Sequence, residues 1–211
     1  MRLGLIADIH ADIRALSATL RHLEALAVEE VLCAGDLVGY GSEPDAVVSL
    51  LRDWSIPCIR GNHDRWALER GRVIGARGWR RAAFKEDTWE FLHGLPSCRR
   101  LERSGQIMMV HHGSPKCDTE CVSPYKSTPE SVERFWAEGI ANVLILGHTH
   151  LPMIDRGSGG TIINPGSVLG VPGIPTSYSF GVVDFPSLAV QFHEVRTGRE
   201  IHRDPVFLAD G

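Results

Sequence analysis

Val31-Leu32-Cys33-Ala34-Gly35-Asp36 is the stretch that decides the reading of this chain. A short apolar run stops at a glycine and then a carboxylate. It reads as a buried strand that delivers Asp36 to the edge of a sheet. Four other stretches end the same way. Leu3-Gly4-Leu5-Ile6-Ala7 runs into Asp8 and His10, and Ile56-Pro57-Cys58-Ile59 runs towards Asn62 and His63. Ile107-Met108-Met109-Val110 precedes His111 and His112, and Val143-Leu144-Ile145-Leu146 precedes His148 and His150. Open α/β sheets gather their chemistry at the carboxyl ends of strands. Strand ends carrying Asp, Asn and His supply what a site for two metal ions needs, and Asp36 is the candidate shared ligand.

Outward from this stretch, strands alternate with helices. Asp12 sits where a helix cap belongs, and Leu16, Leu20, Leu23 and Ala27 follow at helical spacing. Ser42 or Glu43 opens a second helix with Pro44 in its first turn, and Val47, Val48, Leu50, Leu51 and Trp54 form its buried side. Ile56 to Ile59 is a third strand. This rhythm predicts a mostly parallel sheet covered by helices, with right-handed crossovers placing the strand ends on one edge.

Residues 65–93 read as a helical flap interrupted by Gly71, Gly75 and Gly78 and rich in Trp and Arg. Surface helices with solvated charges are one reading. The sharper one is a flap whose arginines help to hold an anionic substrate. Residues 101–110 return to strand. Residues 114–129 form a loop at the rim of the site, 129–138 a short helix, and 143–146 a strand. After His150, short strands separated by Gly, Pro and Ser turns predict a second, antiparallel sheet built from hairpins. The expected fold class is α/β, a two-sheet sandwich flanked by helices in four αββα layers, as one domain over residues 1–211.

Bulk properties narrow the function. The 211 residues suffice for one good-sized core; 43% are hydrophobic and 23% charged, ordinary values for a globular domain. A net charge of -4 argues against a general nucleic-acid binder. No apolar run reaches the length of a membrane span, and the chain turns polar at Asp8, too early for the core of a signal peptide, so a cytoplasmic location is expected. Cys33 and Cys58 sit in apolar runs as reduced core residues. Cys117 and Cys121 form a C-x-x-x-C pair with no second pair nearby, read as loop residues rather than a zinc or redox site.

The ordered set Asp8-x-His10, Gly35-Asp36, Gly61-Asn62-His63-Asp64, His112-Gly113 and Gly147-His148-Thr149-His150 resembles the calcineurin-like metallophosphoesterases. Gly35-Asp36-Leu37-Val38-Gly39-Tyr40-Gly41, His112-Gly113-Ser114-Pro115 and Asn164-Pro165-Gly166-Ser167-Val168 resemble the small bacterial and archaeal phosphodiesterase branch. The likeness runs from about Met1 to Asp184. It implies that Asp8, His10 and His150 bind one metal ion, that Asn62, His112 and His148 bind a second, and that Asp36 bridges them. It implies a water activated between the ions as the nucleophile for in-line attack on phosphorus, with His63 protonating the leaving oxygen. Manganese is the favoured metal, with iron, nickel, zinc and magnesium as other candidates. His112, directly before Gly113, is preferred over His111 as the ligand.

Asp64 is expected to cap its helix or orient a neighbour. Asn164 to Ser167 form either a border of the substrate entrance or a plain turn. The expected partner is a phosphate-ester substrate, a diester first and a monoester or phosphoprotein second. The reading from another class, a non-catalytic scaffold, is disfavoured by the presence of His63 beside every ligand.

Overall fold

The computed structural model describes residues 1–75, 78–123, 125, 127, 132–136, 141–157, 159–169 and 178–201. In chain order the elements are β1 (Arg2–Ile6), α1 (Ile13–Ala25), β2 (Glu30–Cys33), α2 (Pro44–Asp53), α3 (Asn62–Arg70), β3 (Arg72–Gly75), β4 (Gly78–Arg81) and α4 (Glu86–Gly94). They continue as β5 (Cys98–Arg103), β6 (Gln106–His111), β7 (Val143–Ile145), β8 (Pro152–Gly157), β9 (Gly160–Pro165), β10 (Ser179–Asp184) and β11 (Ala189–Glu194).

Two sheets face each other. The first has the order β11-β10-β1-β2, with β1 and β2 parallel and the other pairs antiparallel. The second has the order β5-β6-β7-β9-β8, parallel from β6 through β9 and antiparallel at both edges. Leu3 and Leu5 of β1 pack with Leu32, Met108, Val110, Val143, Ile145 and Ile163 between the sheets. Ile6 and Cys33 turn to the opposite face and meet Leu16, Leu20 and Leu23 of α1 and Val47 and Leu51 of α2. Both faces of β1 are therefore covered, which is why its sequence is apolar without alternation. The outer face of the second sheet carries Leu144, Leu146, Met153 and Ile162 under Val122, Val132, Phe135 and Trp136. The layer order is helices, sheet, sheet and covering segment, the α/β sandwich expected. Residues 132 and 133 are helical, but much of the helix expected over 129–138 lies outside the described residues.

Local signals acted as their chemistry dictates. Asp12 Oδ1 accepts from the Ala15 N–H at 2.9 Å and starts α1. Pro44 occupies the first turn of α2. Leu16, Leu20 and Leu23 are buried, whereas Ala27 lies past the helix end at φ 54 and is exposed. Trp54 is the C-cap of α2 and is 42% exposed, so it is not part of the buried side expected for that helix.

Three expectations are corrected. The 65–93 segment is not a helical flap: α3 ends at Gly71, which is left-handed at φ 59, and a β3–β4 hairpin stands between α3 and α4. The β-branched pair Val73-Ile74 favours strand there, and pairing from Arg72↔Arg81 to Gly75↔Gly78 closes the hairpin. Residues 76 and 77, including Arg77, lie outside the described residues. The strand expected at Ile56–Ile59 forms only a parallel bridge, Cys33↔Cys58, because Pro57 removes a ladder donor. The strands after His150 do not build a sheet of their own: β8–β9 extends the second sheet and β10–β11 the first. Period-two patterning specifies hairpins, not which sheet edge receives them.

Candidate metal centre

The parallel strands set the site. β1 and β2 run side by side in one sheet and β6 and β7 in the other, so their carboxyl ends release Asp8, His10, Asp36, His112, His148 and His150 into the same region. Asn62 and His63 arrive on the first turn of α3. Asp8, His10, Asp36, Asn62 and His112 are each at most 1% exposed and His63 is 7% exposed, so this is a buried polar cluster with one side towards solvent.

The backbone is strained where the sequence gives no warning. Asp8, His10, Asp36, His148 and His150 all have positive φ, between 50° and 69°. Left-handed non-glycine residues are held there only when their surroundings over-determine them, and they gather at functional sites. Gly35 at φ 94 takes part in these turns as expected of glycine. Gly61 does not, with φ -90. It is needed because a Cβ there would overlap the Asp36 carboxylate and backbone nitrogen.

Two ligand-type sets meet at the carboxylates. His10 Nε2 and His150 Nε2 are 3.1 Å apart, and His150 Nε2 lies 3.3 Å from Asp8 Oδ1. On the other side, Asn62 Oδ1 is 3.0 Å from His112 Nε2 and 2.9 Å from His148 Nδ1. Asp36 Oδ2 lies between the sets, 3.2 Å from His112 Nε2 and 3.8 Å from His10 Nε2. Asp8 Oδ1 also approaches both, at 3.8 Å from His112 and 3.8 Å from His10. His63 shares a 4.8 Å cluster with His10 and Asp36, so spacing alone does not separate it from the ligands. His112 stands in the cluster and is 1% exposed, whereas His111 ends β6 opposite Cys98.

These atoms fit metal ions. A carbonyl oxygen can only accept, so the Val38 carbonyl 3.2 Å from His10 Nδ1 places a proton there. The Ala34 carbonyl, 2.7 Å from His112 Nδ1, does the same for His112. Each neutral ring then aims an Nε2 lone pair inward, where His112 Nε2 faces the acceptor oxygens of Asn62 and Asp36. Acceptor facing acceptor requires a positive charge between them. Asp8 Oδ1 is buried with no hydrogen-bond partner. Two imidazole nitrogens bound to one ion at about 2.1 Å lie roughly 3.0–3.4 Å apart, which matches the His10–His150 spacing.

Without an ion, a proton on His112 Nε2 supplies that positive charge, and a bound metal would take the proton's place. Burial pushes the Asp36 carboxyl up, but His112 outweighs it and holds the group well below the carboxylate range. Burial pulls His112 down, yet Asp36 and Asp8 raise it to about 10. Burial lowers His10 to about 4, despite the same carboxylates.

Several supporting residues exceed their sequence reading. Asp64 is fully buried, and its carboxylate accepts from the N–H groups of Gly61, Asp36, Leu37 and Val38 at 2.9–3.1 Å. Burial and the Asp36 charge push this carboxyl up, while the Gly61 and Val38 N–H groups act in the opposite sense. Asn164 to Ser167 do not form an entrance: Asn164 is 0% exposed and donates to the Gly147 carbonyl at 2.7 Å, and Ser167 Oγ donates to the Asp8 carbonyl at 2.9 Å. They brace the turns that carry Asp8 and His148 from below. Arg65, a candidate substrate arginine by sequence, forms a two-pronged bond with Asp118 at 2.6 and 2.9 Å and ties α3 to the 114–123 loop. All five cysteines are free, and Cys117 and Cys121 join no metal-type cluster among the described residues.

A sequence profile described as the Calcineurin-like phosphoesterase superfamily domain matches residues 1–187. A protein of Methanothermobacter thermautotrophicus named "Probable metallophosphoesterase" is 28% identical over 209 residues, 96% of each chain. An uncharacterized protein of Methanocaldococcus jannaschii is 26% identical over 179 residues, covering 79% of this chain and 69% of its own. The crystal structure of a metallophosphoesterase from Sphaerobacter thermophilus superposes with a TM-score of 0.72 at 25% identity, over 92% of this chain and 87% of that one. The chain belongs to the calcineurin-like phosphoesterase superfamily.

Proposed function

We propose that the protein is a dinuclear metal-dependent phosphohydrolase acting on phosphodiesters. The observation that carries this reading is the pair of ligand-type sets, His10–His150–Asp8 and Asn62–His112–His148, facing each other across Asp36. Oxygen and imidazole donors without thiolate suit manganese, with iron, nickel, zinc and magnesium as other candidates. When bound, two such ions neutralise the phosphate oxygens and lower the pKa of a water that serves as nucleophile.

The chain's own residues do the rest. His10 and His112 are fixed in one tautomer by the Val38 and Ala34 carbonyls, so their Nε2 atoms stay available. His63 is held against Asp36 by its backbone N–H, which donates to Asp36 Oδ1 at 2.8 Å. In this reading its ring delivers a proton to the leaving oxygen rather than binding metal. The ring lies at the solvent side of the cluster, next to Tyr40 and Trp66. No helix of the described residues is long and apolar enough to cross a membrane.

The test is hydrolysis of bis-p-nitrophenyl phosphate and p-nitrophenyl phosphate by metal-stripped protein with manganese added back. Manganese-dependent turnover favouring the diester is expected. A preference for the monoester would replace the diesterase reading with a phosphomonoesterase or protein phosphatase.

A further inference from the structure

The β3–β4 hairpin and α3 carry a feature that neither the metal cluster nor the core uses. A row of rings leads outward from His63. Tyr40 lies against both His10 and His63, with ring centroids 4.7 and 4.9 Å away. His63 meets Trp66 at 4.9 Å, and Trp66 meets Trp79 of β4 at 5.6 Å. The Arg70 guanidinium sits 5.6 Å from the Trp66 ring and 5.3 Å from the Trp79 ring.

A pair of tryptophans that only fastened the hairpin to α3 would be expected to bury both rings. Instead Trp79 is 37% exposed, and Tyr40 is 38% exposed. Tyr40 also holds φ at 38, a left-handed backbone that a bulky side chain rarely adopts. That strain keeps an aromatic face open next to the candidate ligands, and strain of this kind collects at ligand clamps.

The charge of the same face is one-sided. Arg70 stacks on Trp79, and Arg72 and Arg81 share its side of the hairpin by alternation and pairing, whereas Arg80 pairs with buried Val73 on the other side and binds the Gly41 carbonyl. The neighbouring acid, Glu69, is paired with Arg65. The chain as a whole has a net charge of -4, so this is a local cationic patch and not a general property. Exposed aromatic faces interleaved with arginines suit a ligand that is both flat-ringed and anionic.

We propose that the row from His63 through Trp66 to Trp79, with Tyr40 beside it, is a stacking platform for the base of a nucleoside-bearing phosphodiester. The proposal rests on the phosphodiesterase reading above and names its substrate class. The scissile phosphate lies at the metal cluster, the sugar of the non-leaving arm passes beside His63, and the base stacks on the exposed indole of Trp79. Arg70, Arg72 and Arg81 face any further phosphate.

The test uses two diesters with one leaving group, thymidine 5'-(4-nitrophenyl phosphate) and ethyl 4-nitrophenyl phosphate, on manganese-loaded protein. The wild type should prefer the nucleoside ester in kcat/KM. Trp79→Ala should lower that preference by roughly tenfold, the usual scale for one stacked base, and Trp79→Phe should restore most of it. Calorimetry gives a readout free of turnover: AMP should bind more tightly than ribose 5-phosphate, and Trp79→Ala should remove the difference. Trp79 lies on an exposed hairpin strand, so the variant should fold, and its circular dichroism checks that. Equal cleavage of both esters, with a ratio unmoved by Trp79→Ala, would overturn the platform and leave the phosphodiesterase reading standing. No cleavage of either ester by the wild type would overturn that reading instead; the calorimetry then decides the platform, supported if AMP outbinds ribose 5-phosphate and overturned if it does not.

Discussion

Asp36 and Asp64 are locked to each other through backbone hydrogen bonds. The Asp36 N–H donates to Asp64 Oδ2 at 3.0 Å, and the N–H of His63, next to Asp64, donates to Asp36 Oδ1 at 2.8 Å. The loop after β2 and the first turn of α3 thus hold one another, and the helix N-terminus stabilises the Asp36 anion. A carboxylate that binds no substrate fixes the one that lies between the two ligand sets.

Asp64→Asn removes half of this lock. An amide has one acceptor oxygen where the carboxylate has two, so part of the four N–H set loses its partner. Leaving buried donors unsatisfied costs about 1–3 kcal/mol each. The variant should show a lower melting temperature and weaker metal binding, both measurable by calorimetry. Wild-type stability would remove Asp64 from this role.

His112→Ala should disturb metal binding far more than His111→Ala. His112 is surrounded by Asp36, Asn62 and Asp8, whereas His111 closes the β5–β6 ladder. Metal analysis of both variants decides between them, and the reverse order would reassign the ligand.

His63→Ala should retain its metal and lose activity by roughly 100-fold or more, the scale of a general acid. Activity and metal content are measured on the same preparation. Loss of metal with loss of activity would make His63 a ligand, which its spacing permits.

A pH effect on stability is expected away from the site. Arg2 Nε and Nη2 bind Asp184 at 2.9 and 3.2 Å between β1 and β10, the two central strands of the first sheet. That hydrogen bonding holds the Asp184 carboxyl below its usual 3.8. A depressed carboxylate stabilises the fold above its unfolded value, and the contribution is lost as pH falls through the folded one. Asp184→Asn should therefore lower the melting temperature slightly at pH 7, with the difference closing in acid. A difference that persists in acid would show that the pair does not act through charge.

How far the sequence carried this account varies by element. Because a strand's carboxyl end is fixed by its own direction, each apolar run followed by Asp or His delivers such a residue to the cluster, although after Val110 it is the second histidine, His112, that does so. Asn62 came through as well, although Ile56–Ile59 forms only a bridge, because the helix start at Gly61 delivers it. The hairpin at 72–81 is not legible, since its arginines and Trp79 also fit a helix and its glycines read as helix breaks. The second sheet was misassigned, because β8–β9 and β10–β11 are indistinguishable by alternation and only tertiary packing sends them to different sheets. Asp64 reads as a cap or as a residue that orients a neighbour, and it does both; the extent of the second role is not legible, because nothing local reports that the β2 loop will fold back onto it. The left-handed turns at Asp8, His10, Asp36, His148 and His150 follow from convergence, a property no single stretch encodes.

The central claim is a centre for two ions organised on Asp36. Its most direct test is titration of metal-stripped protein with manganese, counting bound ions per chain for the wild type and for Asp36→Asn. The wild type should bind two ions and the variant should show reduced occupancy of both positions, because one carboxylate serves both. A single ion in the wild type, or full occupancy of both positions in Asp36→Asn, would contradict it.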